Sequence, residues 1–83
     1  MKLRLIEIQT KKDFKNVKLA ELTGLSPQQI NYYRSGFRKP PLETLERLAI
    51  ALECDPLEML EPGPDYAHFY DPQTGEWLGI RKK

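Results

Sequence analysis

Apolar residues recur at intervals of three and four along much of the chain, which is the spacing of an amphipathic helix. The clearest stretch runs from residue 42 to 52, where mostly polar residues separate Leu42, Leu45, Leu48, Ala49 and Leu52. A shorter stretch from Val17 to Leu22 ends at Gly24, whose lack of a Cβ atom permits a left-handed turn. The pattern therefore predicts a core helix over 42–52 and a two-turn helix that stops at Gly24.

Two short motifs have the residue order of a helix N-terminus. In the motif Ser26-Pro27-Gln28-Gln29 the hydroxyl can cap a helix, proline suits the first turn, and the second glutamine completes a capping box. The helix that it starts should end at Gly36. Asp55-Pro56-Leu57-Glu58 repeats the arrangement and predicts a helix of one to two turns. The apolar residues from Leu3 to Ile8 fit either a helix or an alternating strand, and periodicity leaves both open.

The segment 62–83 has a different pattern. Two aromatic-rich runs flank the stretch 71–75, which contains proline and glycine, and this arrangement predicts a β-hairpin. Its large apolar side chains are too many to leave in water, so they should either cover the helical core or form a partner interface. Because a lone hairpin is only marginally stable, we expect a homodimer interface made by Tyr66, Phe69, Tyr70, Trp77 and Leu78.

Composition narrows the class of protein. A chain of 83 residues with 40% hydrophobic side chains forms one small domain without room for a deep substrate cavity, which argues against an enzyme. No apolar run approaches the roughly 20 residues that span a bilayer, and charges interrupt the start where a signal peptide is continuous, so we expect a cytoplasmic protein without membrane contact. A single cysteine, Cys54, excludes an intramolecular disulfide and argues against structural zinc, so we expect no metal and no other cofactor.

The remaining reactive residue types are expected to be structural. Cys54 should fill a gap beside the core helix, and His68 should be a hydrogen-bonded packing residue, since one histidine without a paired nucleophile defines no mechanism. Solvation and helix capping account for a set of carboxylates predicted at helix surfaces and caps: Glu43, Glu46, Glu53, Asp55, Glu58 and Glu61.

Charge is distributed unevenly along the chain although the formal net charge is only +1. Residues 1–41 contain nine Lys and Arg against three Asp and Glu, whereas residues 42–80 contain one arginine against nine acids. The last three residues are all basic. A basic half joined to an acidic half suits a molecule with one face for a polyanion, although an ordinary solvated surface gives the same counts.

The stretch from Leu19 to Leu52 carries a family motif. It contains Leu19-Ala20, Thr23-Gly24-Leu25-Ser26, Ile30, Gly36 and Pro40, followed by the leucine-rich stretch from 42 to 52. This string resembles the helix-turn-helix domain of the phage-repressor and Cro-like family, also called the XRE family, over residues 3–61. The resemblance implies an all-α, five-helix domain over 1–61 with the β-hairpin extension over 62–83, and it favours a helix for the N-terminal stretch.

The resemblance also implies how the helix between Ser26 and Gly36 is used. At about 100° per residue, Ile30 and Tyr33 share an inner face with Phe37, and polar side chains occupy the outer face. In this family the outer face enters the major groove of double-stranded DNA, where amide and hydroxyl groups can read base edges. The implied base readers are Gln28 first, then Asn31 and Tyr32, with Gln29 at the flank.

Phosphate contacts require positive charge or free backbone N–H groups at the groove walls. The candidates are Lys15, Asn16, Lys18, Arg34, Ser35, Arg38 and Lys39. Two of them depart from the family pattern. Asn16 stands where a glutamine is usual and has a shorter reach, and Arg34 stands where glutamate is frequent, which removes an acid from beside the DNA.

Together these features predict a sequence-specific transcriptional regulator that is associated with the nucleoid in the cytoplasm of a bacterium. We expect a dimeric repressor that binds an inverted-repeat operator through the major groove. The alternative is an antitoxin that binds a toxin, or another protein regulator, through its acidic half and aromatic tail and represses its own operon. A second alternative for the tail is a DNA-contacting arm formed with Arg81, Lys82 and Lys83.

Overall fold

The structure is a computed structural model that describes residues 2–83. It contains four α-helices, α1 (Leu5–Lys12), α2 (Asn16–Thr23), α3 (Pro27–Ser35) and α4 (Leu42–Ala51), a 3₁₀-helix (Pro56–Met59), and the strands β1 (Tyr66–Tyr70) and β2 (Trp77–Lys82). The N-terminal stretch is therefore a helix, and the predicted hairpin is confirmed. The expected count of five α-helices is not confirmed, because the fifth element is a single 3₁₀ turn.

The 3₁₀-helix is short because the next residue, Leu60, forms a β-bridge. Asp55 starts it as predicted, and its carboxylate accepts the backbone N–H of Leu57 at 2.9 Å. Leu60 is already extended and pairs with Leu3 in an isolated antiparallel bridge. The backbone N–H of Arg4 donates to the Met59 carbonyl at 2.6 Å, and that of Glu61 donates to the Lys2 carbonyl at 2.8 Å. This bridge ties the start of α1 to the end of the helical domain.

The hydrophobic core is shared by the four α-helices and the 3₁₀-helix. Seven large side chains are fully buried: Leu5, Ile8, Leu19, Ile30, Leu48, Leu52 and Met59. Leu42 had been assigned to this core by periodicity, but it is 77% exposed. It is the first residue of α4, and the buried side of this helix begins with Leu45.

The predicted helix boundaries are confirmed. Gly24 and Gly36 end α2 and α3 in left-handed conformations with φ values of 77° and 80°. The Ser26 hydroxyl accepts the Gln29 backbone N–H at 3.1 Å, and the Gln29 side chain accepts the Ser26 backbone N–H at 3.0 Å. This reciprocal capping box satisfies two backbone N–H groups at the start of α3.

The hairpin packs one face on the helical domain. His68 pairs with Ile80 and Tyr70 with Trp77, and a bulge between these pairs leaves Leu78 as an extra residue on β2. The Trp77 indole N–H donates to His68 Nδ1 at 3.0 Å, and His68 Nε2 lies 2.6 Å from the Leu60 carbonyl oxygen. The prediction of a hydrogen-bonded packing histidine is therefore confirmed.

A buried carboxylate also holds the hairpin. Glu58 had been predicted at the surface, but it is only 5% exposed and accepts a hydrogen bond from the Tyr70 hydroxyl at 3.0 Å. The Lys11 ammonium lies 3.9 Å from the same carboxylate and 3.7 Å from the centre of the Tyr70 ring. The prediction for Glu58 was wrong because the covering strand comes from a segment distant in sequence.

No helix among residues 2–83 is long and apolar enough to cross a membrane.

Candidate nucleic-acid interface

Helix α3 has a buried side and a polar side, as its sequence predicts. Ile30 is fully buried and Tyr33 is partly buried against the core, whereas Gln28 and Asn31 are exposed. Phe37 had been placed on the inner side, but it is 71% exposed. The prediction extended the helical period beyond Gly36, where the backbone leaves the helix and the period no longer applies.

At the start of α3, two of the predicted base readers contact each other. The Gln28 amide nitrogen donates to the Tyr32 hydroxyl oxygen at 2.7 Å. This contact leaves the Gln28 oxygen and one of its N–H groups available, together with the hydroxyl hydrogen of Tyr32. Gln29 belongs to the capping box through its oxygen and retains its amino group for an outside partner.

Phe37 joins an aromatic and cationic cluster on the same side of α3. Its ring centre lies 5.3 Å from that of Tyr32, and the Arg38 guanidinium lies 5.0 Å from the Tyr32 ring centre. The backbone N–H of Arg38 also donates to the Tyr32 carbonyl at 3.3 Å. The cluster restricts Tyr32 and places an exposed apolar ring beside the polar residues of α3.

A network of side-chain hydrogen bonds connects α1, α2 and α3. Gln9, which is only 2% exposed, donates from Nε2 to Asn16 Oδ1 at 2.9 Å and to the Phe14 carbonyl at 3.1 Å. Arg34 Nη1 donates to Gln9 Oε1 at 2.6 Å and to Asn16 Oδ1 at 3.1 Å. Asn16 Nδ2 then donates to Asn31 Oδ1 at 2.6 Å. Despite its short side chain, Asn16 therefore braces the polar side of α3 through Asn31.

The predicted phosphate-binding residues fall into two groups. Arg34 and Asn16 are engaged in the network, and the Ser35 hydroxyl donates to the Tyr32 carbonyl at 3.1 Å. The exposed cations are Lys15, Lys18, Arg38 and Lys39. Lys15 is the N-cap residue of α2 and makes no side-chain capping bond, so the first N–H groups of this helix have no side-chain cap.

Gln9 and Phe37 were missed as contributors to this surface. A signal for Gln9 exists in the sequence, since it follows Ile8 and stands four residues after Leu5, so that a polar amide lies on the apolar stripe of α1. Buried amides require hydrogen-bond partners, and this one finds them on α2 and α3. For Phe37 no local signal exists, because its exposure depends on the direction of the chain after Gly36.

Comparison with known proteins identifies a family and a solved structure that resemble this chain. The family model of the Cro/C1-type HTH DNA-binding domain matches residues 4–65. The restriction-modification controller protein C.AhdI from Aeromonas hydrophila has a similar structure, with a TM-score of 0.66 and 33% sequence identity over 69% of this chain and 86% of that chain. The comparison with curated protein sequences finds no match.

The family match covers the four α-helices, the 3₁₀-helix and every residue of the polar side of α3. The chain therefore belongs to the Cro/C1-type helix-turn-helix family, as its motif indicated, and is a DNA-binding transcriptional regulator.

Proposed function

We propose that this regulator is a repressor that binds an inverted-repeat operator as a homodimer, with α3 of each copy in the major groove. The observation that carries the proposal is the polar side of α3, where Gln28 and Asn31 are exposed and each is held by a defined hydrogen bond. Polar groups whose orientation is fixed before binding lose little conformational entropy on contact with bases, which favours sequence-specific binding.

Gln28 is the principal base reader in this proposal. Its free oxygen and remaining N–H group match the N6 donor and N7 acceptor of adenine in the major groove. Tyr32 can donate its hydroxyl hydrogen to a neighbouring acceptor, and Gln29 can donate from its amino group at the flank of the site. Phe37 lies beside Tyr32 and can make an apolar contact with a thymine methyl group.

Phosphate binding is assigned to the basic residues around α3 and to the first turn of α2. The uncapped N–H groups of α2 suit a phosphate oxygen, and the adjacent Lys15 and Lys18 add charge. Arg38 and Lys39 supply charge just after the C-terminal end of α3. Arg34 contributes positive potential through the network, and Ser35 and Asn16 can contact phosphate only with the groups that their intramolecular bonds leave free.

The outer face of the hairpin is assigned to the dimer interface. Phe69 and Leu78 are 40% and 51% exposed on this face, whereas Tyr70 and Trp77 turn toward the helical domain. Tyr66 alternates onto the side of Tyr70, but it is 46% exposed at the start of the strand, where it can contribute to the edge of the interface. A second copy seated on this face would cover the exposed apolar groups, and binding to successive turns of DNA requires that the two α3 helices of this dimer lie about 34 Å apart. Ile50 and Leu57 form the competing surface, since they are 77% and 53% exposed.

Selection from a pool of random duplex DNA tests the proposal. The wild-type chain should enrich an inverted repeat, and Gln28→Ala should remove the preference at one position of each half-site, at a cost of about 1–3 kcal/mol in discrimination. Phe69→Ser with Leu78→Ser should give monomers by sedimentation and enrich a single half-site. Ile50→Ser with Leu57→Ser is the matched control and should leave the dimer intact.

Two results would contradict the proposal. If the control pair yields monomers and the hairpin pair does not, the interface lies on α4 and the 3₁₀-helix. If the wild-type chain binds all sequences with equal, salt-sensitive affinity, it does not read DNA sequence. The antitoxin alternative rests on the same exposed hairpin face, and it would be favoured if the protein is monomeric and a protein encoded beside it binds that face.

A further inference from the structure

The amide of Asn31 is held in one orientation. Its Oδ1 atom accepts a hydrogen bond from Asn16 Nδ2 at 2.6 Å, which turns the oxygen end toward α2. The Nδ2 end therefore points away from α2 and presents two N–H donors on the exposed side of α3. Asn31 differs in this respect from Gln28, which retains both an acceptor and a donor.

The orientation of Asn31 follows from that of Asn16. Asn16 Oδ1 already accepts from two donors, Gln9 Nε2 at 2.9 Å and Arg34 Nη1 at 3.1 Å. Only its Nδ2 end is left to face Asn31. An inverted Asn16 amide would place its N–H groups against both of these donors, which is unfavourable.

The orientation of Asn16 is set in turn by a buried pair. Gln9 Oε1 accepts from Arg34 at 2.6 Å, so Gln9 must direct its Nε2 toward Asn16 and the Phe14 carbonyl. The Arg34 guanidinium group can only donate hydrogen bonds, and this fixes which atom donates and which accepts in every later bond of the series. Donation therefore runs from Arg34 and Gln9 through Asn16 to Asn31.

From this series we infer that Asn31 acts as a donor-only reader that selects a keto base, guanine or thymine, at its position in each half-site. Guanine presents two acceptors, O6 and N7, and thymine presents O4 in the major groove. Adenine N7 can accept from one Asn31 N–H, but this brings the other N–H against the adenine N6 amino group, and cytosine presents only an amino group. The inference rests on the proposed binding of α3 in the major groove. Asn16, Gln9 and Arg34 are positioning residues that set this preference without contacting the base.

Two substitutions that exchange an amide for a carboxylate test the inference by selection from random duplex DNA. Asn31→Asp identifies the position that this residue reads, and it should change the preference there from a keto base to an amino base, with cytosine favoured. Asn16→Asp leaves Asn31 itself unchanged. One carboxylate oxygen of the new aspartate at position 16 still accepts from Gln9 and Arg34, and the other oxygen accepts from Asn31 Nδ2. The Asn31 amide is thereby reversed, and its oxygen points outward.

Asn16→Asp should therefore move the same position from guanine or thymine to adenine or cytosine, with a change of about tenfold in the ratio of keto to amino bases. Gln73→Glu is the matched control, because it adds the same charge at an exposed site in the hairpin turn, and it should leave every base preference unchanged. Thermal unfolding of each variant verifies that it is folded during selection.

The outcomes separate this inference from the proposed function. If the wild-type chain enriches no sequence, the proposed function is wrong and the inference fails with it. If it enriches an operator, but the position read by Asn31 has an amino base or keeps its keto base in Asn16→Asp, the inference alone is overturned. A switch at that one position in both variants, with none in Gln73→Glu, establishes that the network sets the specificity.

Discussion

At the scale of single residues, His68 shows how two contacts define the state of a side chain. Its Nδ1 atom accepts the indole N–H of Trp77, so its Nε2 atom must carry the hydrogen that is donated to the Leu60 carbonyl. A hydrogen on Nδ1 would face another donor, the indole N–H of Trp77. His68 joins β1, β2 and the end of the helical domain through one ring.

We expect Trp77→Phe to lower the free energy of unfolding by more than the loss of buried apolar area accounts for. The reason is that the substitution leaves His68 Nδ1 without a hydrogen-bond donor. The hydrogen bond should contribute about 1 kcal/mol to the free energy of unfolding. A double-mutant cycle with His68→Leu, measured by urea denaturation, isolates this contribution. A coupling energy near zero would show that the two side chains pack together without a stabilising hydrogen bond.

Cys54 is a second residue whose surroundings determine its chemistry. It packs against the core beside α4, as predicted, and burial together with the nearby Glu58 carboxylate raises the pKa of its thiol to about 11. Because the thiolate is the nucleophile, alkylation by iodoacetamide at pH 8 should be about 100-fold slower than for a thiol with an ordinary pKa. The rate should rise through pH 10, and denaturant should restore the ordinary rate. A plateau near pH 9 in the folded protein would contradict this expectation.

At the scale of elements, the hairpin is attached to the helical domain mainly through polar contacts. Tyr70 donates to the buried Glu58 carboxylate at 3.0 Å, and His68 Nε2 lies 2.6 Å from the Leu60 carbonyl oxygen. The Lys11 ammonium stacks over the Tyr70 ring. Removal of one partner leaves a buried charged group with fewer hydrogen bonds, which costs more than the loss of an exposed contact.

Tyr70→Phe should therefore lower the free energy of unfolding by about 2 kcal/mol. Tyr66→Phe is the control, because Tyr66 lies on the same strand with its side chain exposed, and it should have almost no effect. Chemical denaturation of the two variants provides the comparison. Equal effects would mean that the Glu58 hydrogen bond does not hold the hairpin.

The same contact should make stability depend on alkaline pH. Burial is the main cause of the raised pKa of Tyr70; the Arg4 guanidinium lowers this pKa, and the Glu58 carboxylate raises it by a smaller amount than burial does. Because the pKa is higher in the folded state, Tyr70 makes its full contribution to the free energy of unfolding below the pKa of a tyrosine in the unfolded chain. This contribution is lost as the pH rises through the pKa of Tyr70 in the folded protein. Absorbance titration near 295 nm should show a late-titrating tyrosine that disappears in Tyr70→Phe. If the wild-type and variant curves differ only at ordinary tyrosine pH, the phenol is not perturbed.

The sequence predicted those elements whose ends depend on local chemistry. Gly24, Gly36 and Ser26 act within their own turns, and the boundaries of α2 and α3 were correct. The burial of Glu58 and the exposure of Phe37 were not predictable in the same way, since both depend on where a distant segment or a departing loop lies. The polar side of α3 was predicted from its period, whereas the orientation of each amide depends on partners in α1 and α2.

At the scale of the whole molecule, the charge pattern separates the proposed DNA side from the rest. The exposed cations Lys15, Lys18, Arg38 and Lys39 surround α3, and acids dominate the sequence from residue 42 to 80. Phosphate contacts release counterions, so each one adds close to one unit to the slope of log affinity against log salt concentration. The change in this slope when one cation is removed therefore shows whether that cation contacts phosphate.

Lys39→Ala should reduce the magnitude of this slope by about 1, with equal loss of affinity for all sequences, if Lys39 binds phosphate. Lys83→Ala is the matched variant for the alternative in which the tail is a DNA-contacting arm, and we expect it to leave the slope unchanged. Fluorescence anisotropy with one duplex over a range of salt concentrations measures both. A reduced slope for Lys83→Ala, with no change for Lys39→Ala, would indicate that the hairpin tail contacts DNA phosphates and that Lys39 does not.

The bridge between Leu3 and Leu60 has a consequence for how the protein opens. It joins two segments that are far apart in sequence, and it shields the amide protons of Arg4 and Glu61 from solvent through hydrogen bonds to Met59 and Lys2. Detachment of either segment breaks both hydrogen bonds at once, because each bond joins one segment to the other. The two amides should therefore exchange at a common rate in native-state hydrogen exchange, as members of one cooperative unit.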